Sequence, residues 1–148
     1  MTWKTLLAER RVERQAPRKE ELAHLRAVAE RNLADARIET LSTDGRFGHA
    51  YEAARAFATI VVRACGYRVK TAGGAHYSTF LALEAADSRR FARHAAYFNT
   101  CRAKRNDLSY EFTGAVTKSE MVELLREVPA FVVLVDEWLG ERDRAPKP

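Results

Sequence analysis

The spacing of the apolar residues limits the fold of this chain more than any other feature of its sequence. They recur every three or four positions in several stretches, as they do along one face of an α-helix. The most regular stretch, from about residue 46 to residue 65, contains Phe47, Ala50, Tyr51, Ala54, Phe57, Ala58, Val61, Val62 and Cys65. Its alanines let a neighbouring helix approach closely, and Gly66 follows as a natural stop. The sequence therefore predicts a buried helix over these residues.

Four other stretches have the same period. They predict a first helix over about 17–41, a short helix over about 76–86, a helix that starts after an N-cap at residue 87 or 88 and reaches about 108, and a last helix over about 118–139. The last helix has the clearest start, since Thr117 and Glu120 have the spacing of a capping box. Pro129 should kink or interrupt this helix, and Gly140 should end it. The β-branched run "FVVLV" (131–135) is compatible with a strand, but its place inside a capped helical pattern favours a helix.

These elements define the expected fold class. Four long helices with short connections pack most simply as an all-α, up-and-down antiparallel bundle, here with one short extra helix. The 148 residues are one domain's worth. Residues 1–16 should form an N-terminal arm in which Trp3, Leu6 and Leu7 pack back on the body, residues 66–74 a loop, and residues 141–148 a frayed tail.

The charge balance is moderately basic. The chain has 25 Lys+Arg and 20 Asp+Glu, a net charge of +5 and a pI of about 9.5. This suits an anionic partner such as RNA or a nucleotide, although a basic surface without such a partner is a common alternative. The basic segment 9–19 is likewise either a phosphate contact or a solvated arm.

Neither a secretory signal nor a membrane span is expected. The N-terminus lacks a long apolar region, and the longest apolar run, residues 128–135, is too short to cross a bilayer. Cys65 and Cys101 fall among apolar neighbours in predicted helices, so we expect two reduced core residues of a soluble, cytoplasmic protein.

The histidines do not suggest a metal or cofactor site, since His24, His49, His76 and His94 lack metal-ligand spacing. His94 lies on an apolar stripe and should be a satisfied core or interface residue. His76 follows two glycines at a helix start, where backbone amides can hold a phosphate, although a flexible connector ending in an N-cap explains the same pattern. His76 is our second candidate for a polar group near a binding cleft.

The strongest candidate site is the polar run "CRAKRNDLSY" (101–110). Phe91, Phe98 and Arg105 share one heptad position, so Arg105 continues an apolar stripe, and Arg102 lies at its edge. In one interpretation the stem of Arg105 covers apolar surface while its guanidinium reaches solvent or a carboxylate. In the other, the guanidinium lines a cleft and binds a phosphate with its planar fork.

Two further residues extend this run into a constellation. Asn106 adjoins Arg105, and Tyr110 lies near Asn106 if the helix continues for one more turn. A cation, an amide and a phenol together can bind a phosphate and a base edge.

The chain resembles HEPN-domain proteins, specifically the small stand-alone bacterial group. The resemblance is carried by "WKTLLAERRVE" (3–13), "GRFGHAYEAARAFATIVVRACGYRV" (45–69), "GGAHYSTFLAL" (73–83), "YFNTCRAKRNDLSYEF" (97–112) and the helix over 117–139. It spans nearly the whole chain, and the "RxKRNxxxY" run is its most specific part.

This resemblance implies a helical bundle that commonly dimerises. Many HEPN domains are metal-independent ribonucleases that use an arginine, usually followed by a polar residue, and a histidine separated from the arginine by four to six residues. Many also act in toxin–antitoxin pairs with a small nucleotidyltransferase, and others bind RNA or nucleotides. No cofactor is implied.

Carried over, the resemblance assigns the motif arginine to Arg105, the polar residue to Asn106 and the histidine slot to Tyr110. Tyrosine, with a pKa near 10, is a poor base at pH 7, so the ribonuclease motif is degenerate. We expect Arg105 to hold a phosphate, Asn106 to orient the phosphate or the base, and Tyr110 to donate a hydrogen bond. Arg102 and Lys104 would add positive charge.

The best functional hypothesis is therefore an RNA- or nucleotide-binding HEPN-like homodimer with a degenerate metal-independent ribonuclease motif. A role in a toxin–antitoxin pair and enzyme activity are left open. The first alternative is a non-catalytic module that docks a partner protein such as a nucleotidyltransferase. The second is a dimer in which the motif only stabilises the interface, so that Arg105→Ala lowers stability without changing ligand binding.

Overall fold

A computed structural model describes residues 1–110 and 116–145, with the side chains of 107–110 excepted. Within these residues the helices are α1 (Trp3–Ala8), α2 (Lys19–Ala36), α3 (Thr43–Ala64), α4 (Ala75–Ala86), α5 (Ser88–Tyr110) and α6 (Lys118–Arg144). Two short strands, β1 (Val12–Arg14) and β2 (Tyr67–Val69), complete the chain's secondary structure there. The predicted all-α fold class is confirmed.

The four long helices alternate in direction. Glu21 of α2 meets Arg63 of α3, while Asn32 further along α2 meets His49 nearer the start of α3, so these helices are antiparallel. The same reasoning applies to α5 and α6, which are joined by ion pairs at both ends: Arg90–Glu141 and Lys104–Glu120. Arg142 near the end of α6 donates to the carbonyl of Ala64 at the end of α3, so α3 and α6 run in the same direction and the up-and-down arrangement of the main helices is confirmed.

The short helix α4 lies beside α5 and runs antiparallel to it. Near the start of α4 the ring of Tyr77 contacts Arg102, and one turn later Phe80 contacts Phe98. Tyr51 of α3 meets the same end of α4 through His76. The N-terminal turn of α4 is thus held between the middle of α3 and the C-terminal part of α5.

The core combines alanines with a group of aromatic rings. Ala50, Ala53, Ala54 and Ala58 of α3 are all fully buried, and their small side chains let α3 occupy the centre of the bundle. Phe131 of α6 packs edge-on against two phenylalanines of α5, with ring centroids 5.0 Å apart for Phe98 and 5.8 Å apart for Phe91.

The N-terminal arm and the first loop differ in part from the predictions. Residues 66–74 are not all loop, because Tyr67–Val69 pair antiparallel with Val12–Arg14 of the arm. Strands of three residues are too short to produce a readable alternation of apolar and polar residues. The predicted packing of the arm on the body is confirmed: Leu6 is buried, and Trp3 stacks on Tyr67 with ring centroids 4.0 Å apart.

The last helix is longer than predicted. The capping box of Thr117 and Glu120 is present, and the "FVVLV" segment is helical as expected. However, α6 continues through Pro129 and Gly140 to Arg144, so the predicted helix end at Gly140 is wrong and residues 141–144 of the predicted frayed tail are helical; the last three residues of that tail, 146–148, lie outside the described residues. Contacts made beyond the glycine explain this, since Arg142 lies 4.6 Å from the Trp138 ring centroid and also donates to the carbonyl of Ala64.

The first long helix also differs at its ends. It begins at Lys19 and ends at Ala36, five residues short of the predicted end at about residue 41. No helix among the described residues is long and apolar enough to cross a membrane.

Candidate functional site

The structure gathers one group of charged and aromatic side chains where α3, α4 and α5 meet. We call this group the arginine cluster, and it consists of Tyr51, Glu52, Arg55, His76, Tyr77, Arg102 and Arg105. Three of its members, Arg102, Arg105 and His76, were predicted as site residues from the sequence.

Arg105 reaches from α5 to α3. One of its terminal nitrogens lies 3.0 Å from a carboxylate oxygen of Glu52, and its guanidinium carbon lies 5.5 Å from the centroid of the Tyr51 ring. Its side chain keeps 33% of its surface exposed. The arginine therefore meets a carboxylate, as the first interpretation expected, and its side chain as a whole stays partly exposed.

Glu52 is shared between two arginines. Its second carboxylate oxygen lies 2.8 Å from Arg55, one turn further along α3, while the first contacts Arg105. A carboxylate held between two guanidiniums occupies the kind of position that suits a phosphate, because both anions present oxygens to the same planar donors.

Arg102 lies on the side of the cluster that faces α4. Its Nε donates to the side-chain oxygen of Asn99 at 2.8 Å, and its guanidinium carbon lies 5.5 Å from the Tyr77 ring centroid. Arg11, which follows α1, approaches the same ring at 5.4 Å and donates to the hydroxyl of Ser78. The exposed ring of Tyr77 thus has two arginines beside it.

His76 and Tyr51 are joined by a hydrogen bond of 3.0 Å between the histidine Nδ1 and the tyrosine hydroxyl. Burial lowers the pKa of His76, and the charges of Arg55, Arg105 and Arg102 lower it further while Glu52 opposes them. Burial raises the pKa of Tyr51. The histidine is therefore mostly neutral at pH 7, and the hydroxyl can either donate to Nδ1 or accept a hydrogen from it.

The helix start that carries His76 depends on a glycine. Gly74 caps α4 with a φ of +87°, a left-handed conformation that other residues adopt at a cost. A substitution at this position would disturb the approach of His76 to the cluster.

Other predicted site residues lie elsewhere. Lys104 projects toward α6, where its Nζ lies 3.4 Å from Glu120, so it does not join Arg102 and Arg105. Asn106 is exposed on α5. The side chain of Tyr110, which occupies the motif's histidine slot, lies outside the described residues, so its predicted role stays a prediction.

His94 has the role of a satisfied core residue. It is 2% exposed, and its Nε2 lies 3.0 Å from a carboxylate oxygen of Glu127. Cys65 and Cys101 are free thiols and form no disulfide with each other. Cys101 is buried and Cys65 is half-buried. Burial raises the pKa of Cys101 to about 11, which keeps its thiol protonated and unreactive.

Four members of the arginine cluster were missed by the sequence analysis: Tyr51, Glu52, Arg55 and Tyr77. A signal was present for two of them, because Glu52 and Arg55 place opposite charges three residues apart beside the alanine-rich stripe of α3. Their pairing with α5 depends on how two helices are aligned, which the period of a single helix does not specify.

No three His, Cys, Asp or Glu side chains in the described part of the chain are grouped so as to hold a metal ion.

Comparison with protein-family models, with curated proteins and with solved structures finds no match to this chain.

Proposed function

We propose that this chain is a HEPN-like protein that binds RNA or a nucleotide, with a phosphate held at the arginine cluster. The observation that carries the proposal is the placement of two guanidiniums, Arg55 and Arg105, on a single carboxylate, Glu52. The charge of a third arginine, Arg102, also acts on the neighbouring His76. Positive charge that is partly exposed and held by fixed contacts is the arrangement that phosphate recognition requires.

Glu52 supports the proposal in a specific way. An incoming phosphate competes with its carboxylate for Arg105 and Arg55, so the carboxylate weakens anion binding while it keeps both side chains in place. A glutamine at this position can still accept hydrogen bonds and carries no charge. Glu52→Gln should therefore strengthen phosphate binding several-fold, whereas a purely structural ion pair gives no gain.

His76 would contribute a hydrogen bond in this proposal. When the buried hydroxyl of Tyr51 donates to Nδ1, the hydrogen of the neutral ring is on Nε2, which can donate to a phosphate oxygen. In the opposite arrangement Nε2 is an acceptor that can take a proton from a ribose hydroxyl. Nitrogen chemical shifts of His76 distinguish the two, and only the second supports cleavage.

The direct test is fluorescence anisotropy with a labelled, mixed-sequence single-stranded RNA. We expect Arg105→Gln to weaken binding by tenfold or more, since it removes a charge-assisted contact. The chain offers a closely matched control in Arg26, which is 34% exposed, pairs with Asp136 and lies 5.4 Å from the Phe57 ring centroid. Arg26→Gln should leave binding unchanged.

Each outcome bears on the proposal. Equal losses of RNA affinity in Arg105→Gln and Arg26→Gln would mean that binding depends only on net charge or on stability. If the wild type binds no RNA, the proposal is refuted. Incubating the same RNA with wild type and Arg105→Gln in EDTA tests turnover separately. Cleavage that is lost in the variant would extend the proposal to a metal-independent ribonuclease.

The homodimer and the toxin–antitoxin role rest on the sequence resemblance alone, and we propose them on that ground. Light scattering coupled to size exclusion gives the oligomeric state directly. A monomeric chain that binds no RNA would leave the partner-docking alternative in place.

A further inference from the structure

A shallow groove of about 170 Å³ lies between α4 and α5, directly beside the arginine cluster. It is lined by Tyr77, Phe80, Leu81, Glu84, Ala95, Ala96 and Asn99. Most of its wall is apolar or small, with one carboxylate and one amide. The volume is below the roughly 300–1,000 Å³ typical of drug-sized ligand sites, so it suits a single flat ring system.

The groove and the arginine cluster are connected through Arg102. The same guanidinium lies over the ring of Tyr77, at the start of the groove, and bonds to Asn99, in its wall. Tyr77 is 37% exposed, although a large aromatic residue gains by burial. Arg102 thus contacts two residues that line the groove. A ligand whose phosphate is bound by Arg102 can therefore place an attached ring against Tyr77 and in the apolar groove.

We propose that this groove is a nucleobase subsite, in which the base of a phosphate-bound nucleotide packs against Tyr77 and along the alanines of α5. Stacking on an exposed aromatic ring next to arginines is the usual way in which unpaired bases are held. The inference rests on the proposed phosphate site, and it narrows the ligand to a mononucleotide or a single strand, because the bases of a duplex are not available to stack.

The polar groups of the groove favour some bases over others. Glu84 offers a carboxylate that only accepts hydrogen bonds, and Asn99 offers an amide whose oxygen is already used by Arg102. An exocyclic amino group presents two hydrogens that can be donated to the carboxylate, whereas uracil has only its ring N3–H, so adenine, cytosine and guanine should bind better than uracil. Glu84→Leu should reduce this preference without removing the stacking.

The groove can be filled without changing charge or core packing. Ala96 is exposed and lines the groove, so the larger side chain of Ala96→Leu occupies the space proposed for the base. Ala130 is an exposed alanine of α6 that does not line the groove, and Ala130→Leu is the matched control.

The experiment is a calorimetric or NMR titration of the full chain with ribose 5-phosphate and with the four nucleoside 5′-monophosphates. We expect the amino-bearing nucleotides to bind about fivefold to a hundredfold more tightly than ribose 5-phosphate. Ala96→Leu should remove that difference while leaving the affinity for ribose 5-phosphate unchanged, and Ala130→Leu should behave as wild type.

The results separate this inference from the proposed function. If ribose 5-phosphate and the nucleotides bind equally well to wild type, or if Ala96→Leu keeps the difference, the base subsite is refuted and the phosphate site stands. If neither ligand binds, or if Arg105→Gln leaves the affinity for ribose 5-phosphate unchanged, the phosphate site itself fails.

Discussion

Replacing Arg63 tests a buried side chain that makes hydrogen bonds to several parts of the fold. This residue of α3 is 3% exposed, and its guanidinium donates to the carbonyls of Gln15 and Tyr67 at 2.9 and 2.8 Å and to that of Ala16 at 3.2 Å. It also pairs with Glu21 of α2 at 3.0 Å. Arg63 thereby links β2 and the segment that follows β1 to the helices α2 and α3.

The expected loss in the free energy of unfolding follows from these hydrogen-bond partners. Arg63→Met keeps much of the apolar stem and removes every donor, so three carbonyls lose a hydrogen bond at a cost of about 1 kcal/mol each. Glu21 is 29% exposed and regains water, so its contribution is small. The free energy of unfolding should therefore fall by about 3 kcal/mol.

Urea denaturation followed by circular dichroism measures this change. Arg68→Met is the control, because Arg68 is an exposed arginine of the adjacent strand that donates to one side-chain oxygen of Gln15, and its replacement should cost less than about 0.5 kcal/mol. The reasoning is refuted if Arg63→Met loses less than about 1 kcal/mol or no more than the control.

Three further predictions concern stability. Thr117→Ala removes the capping box of α6 and should cost about 1 kcal/mol in urea denaturation, with no cost contradicting the role of the cap. Phe98→Ala should cost about 3–5 kcal/mol by the same assay, because its fully buried ring contacts four other aromatic rings, and a cost below about 1.5 kcal/mol would mean that the core collapses around the gap. Burial lowers the pKa values of His76 and His94 below their usual 6.5. As the pH falls through 6.5, the unfolded chain therefore binds protons that the folded chain does not, so the contribution of these histidines to stability is complete above that pH and is lost below it. Urea unfolding should give a lower free energy at pH 5.5 than at pH 7.5, and equal or greater stability at pH 5.5 would show that these histidines are not shifted as described.

The fold could largely be predicted because its main elements are long and regular. The apolar stripe of α3 and the capping box of α6 each lie within one continuous stretch of sequence. The spacing of apolar residues and the chemistry of the cap are the strongest local indications of a helix. The pairing of β1 with β2 has no comparable signal, since it joins two strands of three residues from distant parts of the chain. Gly140 was misleading because contacts made by Arg142 outweigh the local tendency of glycine to end a helix.

The candidate site could be predicted only in part. The heptad position of Arg105 indicated that its guanidinium turns toward the bundle, and the structure places it against α3. Its partner Glu52 and the aromatic surface of Tyr77 come from two other helices, whose alignment with α5 follows from packing of the whole bundle. The spacing in the sequence therefore indicated Arg102 and Arg105, but neither Arg55 nor the side chains that surround these arginines.

The salt dependence of RNA binding tests the proposed phosphate site most directly. For a single strand, the logarithm of the binding constant falls with the logarithm of salt concentration by about 0.7 for each phosphate neutralised. We predict a slope of about −1.4 or steeper for wild type, a slope shallower by about 0.7 for Arg105→Gln, and an unchanged slope for Arg26→Gln. A flat slope, or the same slope for wild type and Arg105→Gln, would contradict phosphate binding at the arginine cluster.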